Sequence, residues 1–269
     1  MFEAKLDDVS LLRDSIATVA ELIDETELHI KEYGIQMIAS DRAVVVVVDF
    51  YLARDVFKEY TYSEDVRIGI NLQNLLQILK RAGEGDTLAI KLSDGKLELT
   101  LKGVSTRKFV LPLIDISREE TPPIDKLDFS SSLAVDSEIL SSGIEDAELI
   151  TDSVIFTVRK DQLTMKGESD SSFTQLDLMK GDGNLRITEM NEPVRARYSL
   201  DYLKKIIKAK KLSPSVKISM SNDYPMKIQF EVPGRVISCC HPIRWKGFGS
   251  HEINLTDSQR RTFARMQAA

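Results

Sequence analysis

Cysteine is almost missing from this chain. Only two occur in 269 residues, side by side at Cys239 and Cys240. Adjacent cysteines build no disulfide framework, and with His241 next to them they give only a weak metal signal, lacking the paired C-x-x-C spacing of a zinc site. A reducing, cytoplasmic setting is the expectation. Histidine is scarce too, with His29, His241 and His251 scattered along the chain. No G-x-S-x-G, H-E-x-x-H, phosphate-cradling G-x-x-x-x-G-K-[ST] or G-x-G-x-x-G sequence occurs, so no nucleophile–base pair or nucleotide loop is legible. The most apolar run, 43–48, is far shorter than the roughly 20 residues that span a bilayer and is expected to be a buried strand. The opening MFEAKLDD has neither the basic start nor the apolar core of a signal peptide. The expectation is therefore no enzyme, no cofactor, no metal and no membrane.

What is abundant is charge, at 29% of residues, with a net charge of −6. An acidic balance argues against an open nucleic-acid surface but leaves room for a local basic face. The stretch 199–212, SLDYLKKIIKAKKL, is such a candidate. Leu200, Leu203, Ile206 and Ile207 fall at helical spacing and call for a core. Lys204, Lys208 and Lys211 share a face at i, i+4, i+7, flanked by Lys205 and Lys210. This reads either as a solvated helix face or as a phosphate-binding one. Carboxylates are plentiful, but they sit mostly in turns and helix caps, where Asp and Glu are ordinary.

The chain repeats itself at an offset of 128 residues: Leu12 meets Leu140, Leu28 meets Phe156, Met37 meets Met165, and Leu72, Leu75, Ile78 and Leu79 meet Leu200, Leu203, Ile206 and Ile207. A constant offset through helices, strands and turns predicts two copies of one α+β domain. Each copy has two helices and roughly eight mostly antiparallel strands. The first helix is expected from an Asp7 or Asp8 cap to about 21, the second from Asn71 to Gly83, the third from Asp136 to about 148 and the fourth over 199–212. Between the copies, SREETPPID breaks all periodicity and predicts a linker. The second helix ends in Lys80-Arg81, with Lys80 the counterpart of Lys208, and Arg13 lies on the solvent side of the first. The third helix is acidic, through Glu138, Glu145, Asp146 and Glu148. Cations on helices without interleaved aromatics suit sequence-independent contact with duplex phosphates rather than base stacking.

The opening MFEAKL, GIQMIASD, INLQNLLQILKRAG and LSDGKLELTL resemble the DNA sliding clamps, in particular the proliferating cell nuclear antigen family of archaea and eukaryotes. The resemblance spans about 1–234 and implies a fold and a function. Two clamp domains (1–116 and 128–240) would be joined by a connector (117–127). Three chains would close a ring with helices lining the hole and sheets outside. The function implied is that of a non-catalytic processivity factor in DNA replication and repair. It would encircle double-stranded DNA and hold polymerase, ligase, flap nuclease and clamp loader through short peptide motifs, in a cytoplasmic, nucleoid-associated setting. On this likeness Arg13, Lys80, Arg81, Lys204, Lys205, Lys208, Lys210 and Lys211 would face DNA. The edge strands carrying Lys108, Phe109, Val110, Leu111 and Thr174, Gln175, Leu176, Asp177, Leu178 would pair between subunits. Val44, Val45, Ile124, Leu127 and Pro225 would wall the partner-peptide pocket. A homotrimer and a heterotrimer of related chains both remain open. So does a checkpoint-type subunit that forms no ring alone.

The likeness fails at the end. The family closes on Leu-Ala-Pro and a short acidic tail, whereas this chain continues RVISCCHPIRWKGFGSHEINLTDSQRRTFARMQAA. Residues 235–240 still suit a strand. Residues 241–269 form an atypical tail, with a short helix expected over 257–267. A reading-frame change or a fused segment would produce such a switch, and a coding sequence with no family-like ending in another frame would exclude the former.

Overall fold

The computed structural model describes residues 1–116, 124 and 127–241. Most of the connector and residues 242–269, including the helix expected over 257–267, lie outside the described residues. The chain divides into two compact units, each discontinuous in sequence. The first comprises Met1–Ala39, Val48–Glu120 and Val232–Ile237; the second comprises Ser40–Val47, Thr121–Glu231 and Ser238–Ala269.

In the first unit β1 (Phe2–Leu6), α1 (Val9–Val19), β2 (Glu25–Lys31), β3 (Gly34–Ser40), β4 (Val47–Ala53), β5 (Glu59–Tyr62), β6 (Val66–Asn71), α2 (Leu72–Leu79), β7 (Thr87–Ser93), β8 (Lys96–Lys102) and β9 (Thr106–Pro112) follow in order. The second repeats the series as β10 (Ser131–Asp136), α3 (Ser137–Glu148), β11 (Ser153–Arg159), β12 (Gln162–Glu168), β13 (Phe173–Met179), β14 (Leu185–Met190), β15 (Val194–Ser199), α4 (Leu200–Ile206), β16 (Ser215–Met220) and β17 (Met226–Val232); β18 (Arg235–His241) follows, with residues 235–237 belonging to the first unit. The 128-residue offset is kept at both ends of β2 and β11, β3 and β12, and β6 and β15. Sheet order repeats as well. One sheet of the first unit runs β5-β1-β7-β8-β9, matched by β14-β10-β16-β17 in the second. The other runs β6-β2-β3-β4, matched by β15-β11-β12-β13. Successive strands such as β7 and β8, β8 and β9, β11 and β12, and β12 and β13 pair antiparallel, the arrangement that short hairpin turns impose. The registers also fix which strands end their sheets. Among the described residues β9 pairs only with β8, and β13 only with β12.

Each helix starts at a capping side chain that accepts from the first turn. Asp8 accepts from the Ser10 amide at 2.8 Å and Asn71 from Asn74 at 3.0 Å. Asp136 accepts from Glu138 and Ile139, and Ser199 from Asp201. Two sequence expectations change. The strand expected from residue 43 begins only at Val47, and 41–46 is a loop. The fourth helix is α-helical only through Ile206 and continues as a 3-10 turn over Ile207–Lys211.

The cores are aliphatic with a few aromatic anchors. Tyr198 is fully buried against Phe156, edge to face at 5.9 Å, and its hydroxyl donates to the Tyr224 carbonyl at 2.8 Å. Burial pushes that phenol well above its ordinary pKa, so it stays a donor. The third helix lies very close to its sheet. A Cβ on Gly167 would stand 3.0 Å from the Ala147 Cα of α3, whereas one on Gly143 would meet only the flexible end of Met165 at 2.8 Å. Among the described residues no helix is long and apolar enough to cross a membrane.

Urea unfolding tests this packing. Gly167→Val should cost about 1–3 kcal/mol, because the backbone of α3 cannot yield, while Gly143→Ala should stay within about 1 kcal/mol of the parent, as Met165 swings aside and the helix gains propensity. Tyr198→Phe should cost about 1–2 kcal/mol by leaving the buried Tyr224 carbonyl unpaired.

Candidate nucleic-acid interface

The helices position the basic residues, and the switch to 3-10 geometry after Ile206 decides which lysines are presented. In a 3-10 turn residues three apart eclipse one another. The exposed row is accordingly Lys205, Lys208 and Lys211, not the Lys204, Lys208 and Lys211 stripe that an uninterrupted helix would give. The Lys205 ammonium lies 5.6 Å from the centre of the Tyr202 ring.

Lys204 and Lys210 turn toward the acidic third helix. Lys204 Nζ donates to Glu148 Oε1 at 2.6 Å. Lys210 Nζ donates to Glu138 Oε2 at 2.8 Å and to Ser141 Oγ at 3.1 Å, with Glu145 Oε1 at 3.9 Å. Ser141 is buried and its hydroxyl donates to Glu145 at 2.7 Å, so it fixes the centre of this network. The hydrogen bond to Glu148 raises the pKa of Lys204, and that to Glu138 raises the pKa of Lys210. Both lysines remain cations at neutral pH. Solvent-accessible pairs of this kind contribute little to stability, because water and salt screen them.

In the first unit Lys80 is the exposed C-cap of α2, where a cation suits the negative end of the helix dipole. Arg81 is exposed, and its carbonyl accepts from Arg107 of β9 at 2.7 Å. Arg107 also binds the buried Asp86, whose carboxylate accepts from the Gly83 amide at 2.9 Å. This tie between β9 and the end of α2 carries no short-range sequence signal. Arg13 is half-buried and donates to the neighbouring Asp14 at 2.9 Å, which compensates its charge.

The residues expected at subunit contacts alternate along two sheet edges. On β9, Lys108 and Val110 are exposed, Phe109 is half-buried and Leu111 is buried. On β13, Gln175 and Asp177 are exposed, Thr174 and Leu176 are half-buried and Leu178 is buried. Asp177 accepts from Thr164 at 2.6 Å and from Gln162 and Gln175 at 2.8 Å, and the bond from Thr164 above all lowers its pKa.

The residues expected to wall a peptide pocket fall into two groups within the second unit. Leu127 is buried with Tyr224, and Ile124 and Phe129 pack against the pair. Pro225, next to Tyr224, is buried too. Val44 and Val45 lie on the 41–46 loop, which Asp41 organises. One Asp41 oxygen accepts from the amides of Val45 at 2.6 Å and Val46 at 2.7 Å. The other accepts from the Ala43 amide at 3.2 Å and the Tyr202 hydroxyl of α4 at 3.1 Å. These bonds hold β-branched Val44 at φ 51°, a left-handed conformation that costs on the order of 1–3 kcal/mol. Val45 is buried and Val44 half-buried, so the loop presents Val44 more than Val45. The sequence marks Asp41 only as part of a turn with Ser40, not as the organiser of this loop; its local signal is an Asp able to cap a turn two residues on. Among the described residues no group of three or more His, Cys, Asp or Glu side chains is arranged to hold a metal.

Comparisons with known proteins agree with this architecture. The family model for the proliferating cell nuclear antigen N-terminal domain matches residues 1–116, and that for its C-terminal domain matches residues 123–241. The similarity thus runs past 234, where the resemblance in sequence was expected to fade, and takes in β18. The DNA polymerase sliding clamp of Thermococcus gammatolerans is 33% identical over 230 residues, covering 85% of this chain and 92% of its own. That of Pyrococcus furiosus is 32% identical over 232 residues, covering 86% and 93%. The crystal structure of the proliferating cell nuclear antigen from Thermococcus kodakaraensis superimposes with a TM-score of 0.83 at 28% identity, covering 91% of this chain and all of that one. With both domain types matched in order, the fold shared and the relatives aligned over nearly their full length, the chain belongs to the proliferating cell nuclear antigen family of DNA sliding clamps.

Proposed function

We propose that three copies of this chain close around double-stranded DNA and act, without catalysis, as a processivity factor and docking platform for polymerase, ligase, flap nuclease and clamp loader. The observation that carries this reading is the pair of exposed cations at equivalent places in the repeat, Lys80 at the end of α2 and Lys208 after α4, in a chain whose net charge is −6. Local cations on an acidic body attract phosphates at one surface and repel DNA elsewhere. Contact through lysines and arginines without base reading lets a clamp slide. In this reading the domains are 1–116 and 128–240, with 117–127 as the connector.

Self-association is supported by the two sheet edges. β9 carries the exposed Lys108, and β13 carries the exposed Asp177, so opposite charges are available for one edge to meet the other in a second copy. Exposed Val110, Phe173 and Met179 add apolar surface at the same edges. Pairing of free edges between chains also removes the aggregation hazard of leaving them bare. Multi-angle light scattering at micromolar concentration should give three chains per particle; a single-chain species would contradict the homotrimer and favour a ring completed by related chains, which co-expression would then reveal.

The Asp41 loop and the Leu127–Tyr224 cluster support the docking role, since a rigid loop and an apolar patch suit short peptides with hydrophobic anchors. Asp41→Ala should release Val44 from its left-handed conformation and weaken binding of a polymerase-derived peptide roughly tenfold, the equivalent of about 1.4 kcal/mol, as read by isothermal calorimetry. Unchanged affinity would remove the loop from the docking surface.

Lys80→Glu combined with Lys208→Glu should lower retention on nicked circular duplex after loading while leaving the oligomer intact. Retention equal to that of the parent would remove these lysines from the DNA-facing surface.

A further inference from the structure

We infer that the carboxylates of α3 compete with DNA phosphates for the lysines that follow along α4, so that α3 sets how tightly the clamp holds duplex. The inference rests on the reading of α4 as DNA-facing and adds a determinant of grip to it.

Three observations on separate features converge. The first is geometric. Of the five lysines in 204–211, Lys204 is held by Glu148 and Lys210 by Glu138, with Glu145 nearby. Each carboxylate occupies the place at the ammonium that a phosphate oxygen would take. The second is that the network is built rather than incidental. Ser141 is buried, donates to Glu145 and accepts from Lys210, which sets the lysine head between two carboxylates. The close seat of α3 on its sheet at Gly167 holds the helix in place. The third is that the acids at the C-terminal end of α3 work against their own helix. Glu145, Asp146 and Glu148 crowd the C-terminal turn of α3, which has no basic residue, and negative charge there opposes the helix dipole. Pairing with α4 offsets that penalty.

The pairs are solvent-accessible and therefore easily exchanged. Glu138 and Glu145 keep most of their side-chain surface in water, at 74% and 65%. A phosphate reaching Lys204 or Lys210 either displaces a carboxylate or binds beside it, and in both cases the carboxylate stays close and repels it. Fewer counterions are released than the number of lysines suggests, and the contact with DNA stays shallow. The exposed Lys205 and Lys211 supply the standing attraction, while Lys204 and Lys210 are held back.

The test compares four proteins by fluorescence anisotropy with a short linear duplex, titrated between about 50 and 200 mM salt. They are the parent, Glu138→Gln/Glu145→Gln/Glu148→Gln, Lys205→Gln/Lys208→Gln/Lys211→Gln, and a charge-matched control, Glu64→Gln/Asp182→Asn/Glu189→Gln. The α3 variant should bind at least about tenfold more tightly near 100 mM salt. Its plot of log affinity against log salt should steepen by nearly two, about 0.9 for each lysine released. The lysine variant should bind more weakly with a shallower slope, and the control should leave the slope within about half a unit of the parent. If the lysine variant weakens binding but the α3 variant matches the parent, competition is excluded while α4 still faces DNA. A control that gains as much as the α3 variant reduces the effect to net charge and overturns the inference. If the lysine variant binds as the parent does, α4 does not touch duplex, and the inference falls with that reading.

Discussion

Lys204 and Lys210 are each held by a carboxylate of α3, and this pairing divides the basic residues of the fourth helix into two sets. It rests on local geometry that is itself fixed elsewhere. The tight approach of α3 to β12 brings Glu138, Glu145 and Glu148 within reach of α4. The change to 3-10 winding at Ile207 turns Lys208 and Lys211 into line with Lys205 and leaves Lys210 beside α3. One basic segment is thereby divided into an exposed row and a half-buried set tied to α3.

The same segment connects to the 41–46 loop of the second unit. The Tyr202 hydroxyl of α4 donates to Asp41, and Asp41 holds Val44 in a conformation that its branched side chain disfavours. Several hydrogen bonds to one carboxylate offset a backbone strain of on the order of 1–3 kcal/mol. The result is a rigid loop at the place where the family resemblance puts peptide docking. The first unit has a comparable tie, with Arg107 of an edge strand bound to the end of α2 and to buried Asp86.

Much of this was legible in the sequence, for identifiable reasons. The repeat could be read because apolar positions recur at one offset through whole elements, and β2 with β11, β3 with β12 and β6 with β15 keep that offset at both ends. Helix starts could be read because capping is a local interaction, as Asp8, Asn71 and Asp136 show. The loop at 41–46 was not legible, since AVVVVV has every mark of a strand and the Asp41–Tyr202 bond that helps hold the loop open spans 161 residues. The end of the α-helix at Ile206 was not legible either, because lysine, alanine and isoleucine suit both windings. The acidic character of α3 could be read from composition, but its individual partners on α4 depended on packing.

The proposed function is topological: the chain would hold DNA by surrounding it, with weak contacts from the basic helices. The most direct measurement loads the protein onto nicked circular duplex, removes free protein, and then cuts the circle once with a restriction enzyme. Loss of the bound protein on linearisation, with retention on the uncut circle, is the predicted result. Equal retention on the cut and uncut DNA would show that the chain is held by direct contact alone and would contradict the account.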